Sequence, residues 1–152
     1  MKKEIIPYEP DHAYTIIEEK LREHDMWLTN KAESEFWPVE WAKHPSATLM
    51  IGDRVILCGG VMILNRNCGE AWTLFADGFK KYPIACFKAC KAVIDDAVRE
   101  HNLVRVQAFI SPGVNGGREF AERLGFEQEG LLRAVGPDNE DLYMYSKIIK
   151  ER

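Results

Sequence analysis

Lys80 and Lys81 sit in the loop Asp77-Gly78-Phe79-Lys80-Lys81-Tyr82-Pro83, between an alternating stretch, Gly69 to Ala76, and a long run of helical periodicity that opens at Pro83. A strand that feeds a helix through a short loop aims free backbone N–H groups beyond the strand end, and the helix dipole adds positive potential there. Such a place suits phosphate. The two lysines fit a plain solvated loop equally well. Cys86 and Cys90, four apart on the expected helix, share a face and could ligate a metal or react. Reduced cysteine is among the most buried residue types, so core packing is the expected role. Cys58 and Cys68 complete the set, without the paired C-x-x-C spacing of a zinc ribbon and with no histidine at finger spacing. The four histidines have no partner at ligand spacing, and His44 before Pro45 reads as a turn residue. No metal site is expected.

The elements that must position these residues follow from periodicity. Lys3 to Pro7 reads as a first strand, and Asp11 caps a helix of about fourteen residues in which Ala13, Ile16, Ile17 and Leu21 recur at helical spacing. A second helical region, Ala32 to Lys43, carries Phe36, Trp37 and Trp41. Trp37 and Trp41 fall on one face and either line an acceptor pocket or pack the helix on a sheet, the commoner use of such a stripe. Ala47 to Ile51, Arg54 to Leu64 and Gly69 to Ala76 form a meander through turns at Gly52-Asp53 and Asn65-Arg66-Asn67. Pro83 fits a first helical position, and the apolar rhythm continues to His101. A strand from Leu103 to Ile110, a helix of about ten residues ending at Gly125, and a final antiparallel pair, Phe126 to Ala134 and Leu142 to Ile149, close the chain. The order β-α-α-β-β-β-α-β-α-β-β predicts an α+β arrangement around one central sheet.

Composition narrows the function. At 152 residues the chain is expected to form a single domain over 1–152. A content of 46% hydrophobic and 29% charged residues excludes a disordered chain. No apolar run approaches the roughly 20 residues needed to cross a bilayer, and Met1-Lys2-Lys3-Glu4 leads into no apolar signal core, so a cytoplasmic protein is expected. A net charge of −4 argues against nucleic acid as a partner and suits a cationic one.

The segment Leu124-Gly125-Phe126-Glu127-Gln128-Glu129-Gly130-Leu131-Leu132-Arg133, followed by Asp141-Leu142-Tyr143-Met144-Tyr145-Ser146, resembles the GNAT superfamily of acetyl-CoA-dependent N-acetyltransferases. It is most similar to the ribosomal-protein acetyltransferase branch, with its "GF-x-x-EG-x-LR" segment and later "YS" strand. The likeness runs from about Ile51 to the end of the chain and is more specific for fold than for activity. It implies a mixed central sheet of about seven strands, a splayed central pair and about four helices.

The same resemblance implies acetyl-CoA as cofactor, its pantetheine arm lying between Gly69–Ala76 and Leu103–Ile110. Thr73, Leu74 and Phe75 would meet the arm mainly through backbone. The pyrophosphate would rest on the loop and helix start, at Lys80, Lys81, Tyr82, Ile84 and Ala85, and Asn115 matches the Asn that opens the last helix in relatives, where it is equally a helix cap. Against the family's R/Q-x-x-G-x-G/A signature the sequence places Pro83 where Gly is usual, which removes a donor and adds bulk. Where many relatives carry an acidic Tyr, four residues before Gly-Phe, it has Ala121. Tyr143 or Tyr145 could stand in, although strand tyrosines more often pack. Glu70 is the candidate base, with Asp77 in reserve, since the acceptor ammonium must lose a proton.

Two readings result. One is an N-acetyltransferase acting on a primary amine, whether a protein N-terminus or a small amine, with Phe36, Trp37 and Trp41 permitting a homodimer. The other is a non-catalytic module of the same fold with a degenerate donor site, of the kind found among structural or host-interacting proteins of tailed bacteriophages.

Overall fold

The computed structural model describes residues 1–22, 31–113 and 116–149. Its elements are β1 (Lys3–Pro7), α1 (Pro10–Arg22), α2 (Lys31–Trp41), β2 (Ser46–Ile51), β3 (Arg54–Asn65), β4 (Cys68–Phe75), α3 (Pro83–His101), β5 (Arg105–Ile110), α4 (Gly117–Arg123), β6 (Glu127–Leu132) and β7 (Leu142–Ile148). This is the order expected from periodicity, with a 3-10 turn, Phe79–Lys81, added before α3. The last helix is shorter than expected, ending when the amides of Leu124, Gly125 and Phe126 turn back onto carbonyls of Phe120, Ala121 and Glu122.

The seven strands form one sheet in the order β1-β2-β3-β4-β5-β7-β6, mixed because β4 and β5 alone run parallel. Three apolar clusters hold helices against its two faces. Ala13, Ile16 and Ile17 of α1 and Trp41 of α2 pack on Cys58 and Leu74. On the other face Cys86, Ala89 and Cys90 of α3 meet Leu49 and Leu57, while Val93, Ile94 and Ala97 meet Val106, Ala108, Tyr145 and Ala121 of α4. That stripe is the 3.6-residue rhythm legible in the sequence. α3 stops at Asn102, whose left-handed backbone (φ 52°) lets its N–H reach Val98 O, with Arg99 and His101 complementing the negative end of the dipole.

The β4/β5 pair is the feature that matters for function. Only three rungs join the strands, Cys68 to Arg105, Gly69 to Val106 and Glu70 to Gln107. Beyond them Ala71–Phe75 keep pairing with β3, and Ala108–Ile110 keep pairing with β7. The inner edges therefore part, as a splayed pair requires.

Packing around β3 leaves no room for a side chain at Gly60, where an added Cβ would lie 2.2 Å from Pro45 O and 2.9 Å from Ser46 Cα. Both are backbone atoms and cannot rotate away. Gly60→Ala is expected to cost about 3 kcal/mol or more, read as a lowered midpoint in urea unfolding.

Candidate active site

The gap between β4 and β5 has an apex, two walls and a mouth. At the apex Glu70 faces Gln107 across the last rung, with Gln107 Nε2 donating to Glu70 Oε1 at 3.1 Å. Of the expected wall residues, Leu74 is buried among the α1/α2 cluster, and Thr73 turns to the α3 side, where its side chain meets Cys90. Both leave only backbone for the gap, where N–H and C=O groups on the inner edge of Ala71–Phe75 have no ladder partner. Phe75 packs on Phe79 (4.5 Å between ring centroids) and Phe120 of α4 (5.9 Å), giving the helical side of the gap an aromatic lining.

The mouth lies at the other end of β4. Gly78, in the left-handed region at φ 83°, turns the chain into the 3-10 turn. The amides of Lys81 and Tyr82 are spent on Gly78 O and Phe79 O, and both lysine side chains are exposed. Tyr82 caps α3 without a side-chain hydrogen bond, under the ammonium of Lys3 at 5.8 Å from its ring. Pro83 takes the first helical position and is exposed, so it removes one donor of the first turn without covering the next two, the amides of Ile84 and Ala85. Phosphate has two free amides, the dipole of a 19-residue helix and two exposed cations to bind.

The structure does not bring the tyrosines together with Glu70. Ser146 pairs with Gln107, and Tyr145 with Ala108, which places Tyr143 and Tyr145 on the opposite face of the sheet. Tyr145 is fully buried, its hydroxyl among Arg118 Nε (3.1 Å), Gln128 Oε1 (3.2 Å) and Glu122 Oε1 (3.5 Å). The Arg118 guanidinium lies over the Tyr143 ring at 4.6 Å. Asp77 lies past the far end of β4, two residues beyond Phe75, where Lys20 Nζ holds its carboxylate at 3.1 Å. That carboxylate's hydrogen bond to Glu19 pushes the Glu19 pKa up. Ala121 is buried, and Asn115 lies outside the described residues.

Burial raises the pKa of three thiols, Cys58 above its ordinary value, Cys86 to about 11 and Cys90 to about 12. They are protonated at neutral pH, a poor state for metal ligation. Among the described residues no group of three or more His, Cys, Asp or Glu could hold a metal ion. Trp41 is core, stacked on Trp72 of β4 at 4.0 Å and 11°, with Trp37 beyond it at 6.3 Å. No helix is long and apolar enough to cross a membrane, among the described residues.

Sequence reasoning missed the polar network at the apex. Arg105 Nε donates to Gln107 Oε1 (3.2 Å), its two terminal nitrogens hold Glu129 at 2.5 and 3.2 Å, and Ser146 Oγ donates to the same carboxylate. Arg105, then Ser146, pull the Glu129 pKa below the ordinary carboxylate value. The available signal was Arg105 and Gln107 alternating with apolar residues in a central strand.

No protein-family model matches the chain, and no curated protein matches it. Solved structures do. Ard1 from Thermoplasma volcanium aligns with TM-score 0.80 at 14% identity, over 99% of this chain and 100% of that one. The structure of yncA from Salmonella typhimurium with its cofactor acetyl-CoA aligns with TM-score 0.79 at 14% identity, over 100% and 96%. The ribosomal-protein-alanine N-acetyltransferase from Brucella melitensis aligns with TM-score 0.76 at 17% identity, over 96% and 99%. The fold is that of the GNAT acetyltransferases.

Two expectations test this geometry. Because Cys68 is half-buried and the other three cysteines are buried, brief treatment with iodoacetamide should label Cys68 in the native protein and all four only in denaturant. Mass spectrometry of the peptides reads the outcome. A lowered carboxylate pKa stabilises the fold above the unfolded value and loses that effect as pH falls through the folded one. Glu129 is 43% exposed, so Glu129→Gln should cost less than about 1 kcal/mol at pH 7. Urea titrations should show the difference closing below about pH 4.3.

Proposed function

We propose that the protein is an acetyl-CoA-dependent N-acetyltransferase acting on a primary amine. The observation that carries this reading is the parted β4/β5 pair, with a carboxylate at its apex and an uncapped helix start at its mouth. In this reading acetyl-CoA supplies an activated acetyl thioester. Backbone groups of Thr73, Leu74 and Phe75 pair with the amides of its arm as a short added strand. Lys80 and Lys81, with the loop at Tyr82 and the amides of Ile84 and Ala85, hold the diphosphate.

Glu70 takes a proton from the acceptor ammonium, directly or through water, freeing the nitrogen lone pair to form the new C–N bond as the C–S bond breaks, and the second proton that nitrogen sheds goes to the departing thiolate or to solvent. Unpaired N–H groups on β4 stabilise charge on the carbonyl oxygen. A thiol leaving group with a pKa of about 8.5 departs as thiolate with little assistance, so a buried Ala121 in place of an acid slows the reaction without forbidding it. The ribosomal-protein-alanine N-acetyltransferase among the structural neighbours supports a protein N-terminus as acceptor over a small amine. Four free cysteines, three of them buried, support a reducing, cytoplasmic location.

A non-catalytic module is the second reading, favoured by Pro83 at the phosphate loop and Ala121 on α4. Calorimetry separates the two. Acetyl-CoA should bind with a submillimolar Kd, and Lys80→Ala combined with Lys81→Ala should weaken it roughly five- to tenfold. Absence of measurable binding by the parent protein selects the module. Glu70→Gln should lower kcat about a hundredfold while leaving the Kd for acetyl-CoA unchanged.

A further inference from the structure

Glu70 does not stand alone at the apex. Its Oε1 accepts from Gln107 Nε2, and the orientation of that amide is dictated by its other neighbour. Gln107 Oε1 faces Arg105 Nε, and a guanidinium only donates while a carboxylate only accepts. Rotating the amide by half a turn would set donor against donor on one side and acceptor against acceptor on the other. Arg105 is itself fixed by its paired contacts to Glu129. Glu129 can reach it because the β6/β7 register shifts between Gln128 and Gly130, which leaves position 129 without a ladder partner. A bulge of this kind re-aims a side chain. The Glu-Gly pair of the C-terminal motif thereby gains a physical role: it supplies the carboxylate that anchors the network.

The neighbouring strands supply the charged and titratable groups around this pair. β4 contributes Cys68, whose Sγ lies 3.8 Å from Gln107 Oε1, β5 contributes Arg105, and β6 contributes Glu129, with the hydroxyl of Ser146 from β7. β3 sets uncharged Met62 opposite Glu70.

We propose that Gln107, locked by Arg105 and Glu129, is a positioning residue that fixes the Glu70 carboxylate at the apex of the gap and leaves its second oxygen for the acceptor amine. This rests on the reading of Glu70 as the base. A hydrogen bond donated to a carboxylate favours its charged form, and a neighbouring like charge opposes it.

The test follows the Glu70 carboxyl carbon by 13C NMR across pH in the protein without ligand, alongside kcat over the same range with saturating acetyl-CoA and an alanyl-peptide amide. In Gln107→Leu the carboxyl midpoint should rise relative to the parent, and it should rise further in the near-isosteric Gln107→Glu. The acid limb of kcat should move the same way, with KM for acetyl-CoA held within about twofold. If Gln107→Leu fails to fold, Gln107→Glu carries the test. Midpoints that do not move would overturn the proposal, since a side chain that merely packs would alter stability without changing the titration. Should Glu70→Gln leave kcat intact, the assignment of the base fails instead, and the carboxyl titration still decides whether Gln107 positions Glu70.

Discussion

Backbone N–H and C=O groups that leave a sheet ladder need other partners, and the parting of β4 from β5 after three rungs creates such a debt in the middle of the molecule. The two arms are not propped apart by contact with each other. The β4 arm is braced from one face by Leu74 in the α1/α2 cluster and from the other by Phe75 against Phe79 and Phe120. The β5 arm is braced by Ala108 and Ile110 packed beneath α3 and α4. A buried side chain of this size contributes about 1.5–3 kcal/mol, whereas each ladder hydrogen bond contributes nearer 1. Packing therefore outweighs closure, and the unpaired edge persists as a surface for an extended amide chain.

Separate elements carry the separate tasks. The start of α3 and the exposed lysines collect positive potential at one end of β4, and Glu70 with its network occupies the other, about 17 Å from Phe75 along the strand. A ligand with an anionic end and a reactive end on a narrow stem matches that separation. The tyrosines of β7 serve the opposite face, where Tyr145 ties α4 to β6 through Arg118 and Gln128.

Much of this was legible in the residues. Helical rhythm in 83–101 located α3 and its buried face, Pro83 marked its first turn, and turn chemistry at Gly52-Asp53 separated β2 from β3. Glu70 was recognisable as a carboxylate on the central strand. The network around it was not, because its members come from β4, β5, β6 and β7 and meet only through pairing and a register shift that no local pattern encodes. Tyr145 was hard to place for the same reason. Alternation says that Tyr143 and Tyr145 share a face, but only the pairing of Ser146 with Gln107 says which one. Asp77 looked available because a carboxylate before glycine reads as a turn, while its partner Lys20 lies 57 positions earlier in the chain.

The aromatic stack has an optical meaning. Trp41 and Trp72 lie nearly parallel at 4.0 Å, with Tyr8 edge-on to Trp72 at 5.4 Å, and Trp72 projects from β4 on the same face as Glu70, two residues away. Indoles so close couple their electronic transitions, producing a near-ultraviolet circular dichroism couplet whose sign and size depend on ring separation and tilt. The molecule thus contains a native chromophore pair with one ring on the strand that lines the gap and the other on α2, and it reports small movements of that strand against the helix without any attached dye.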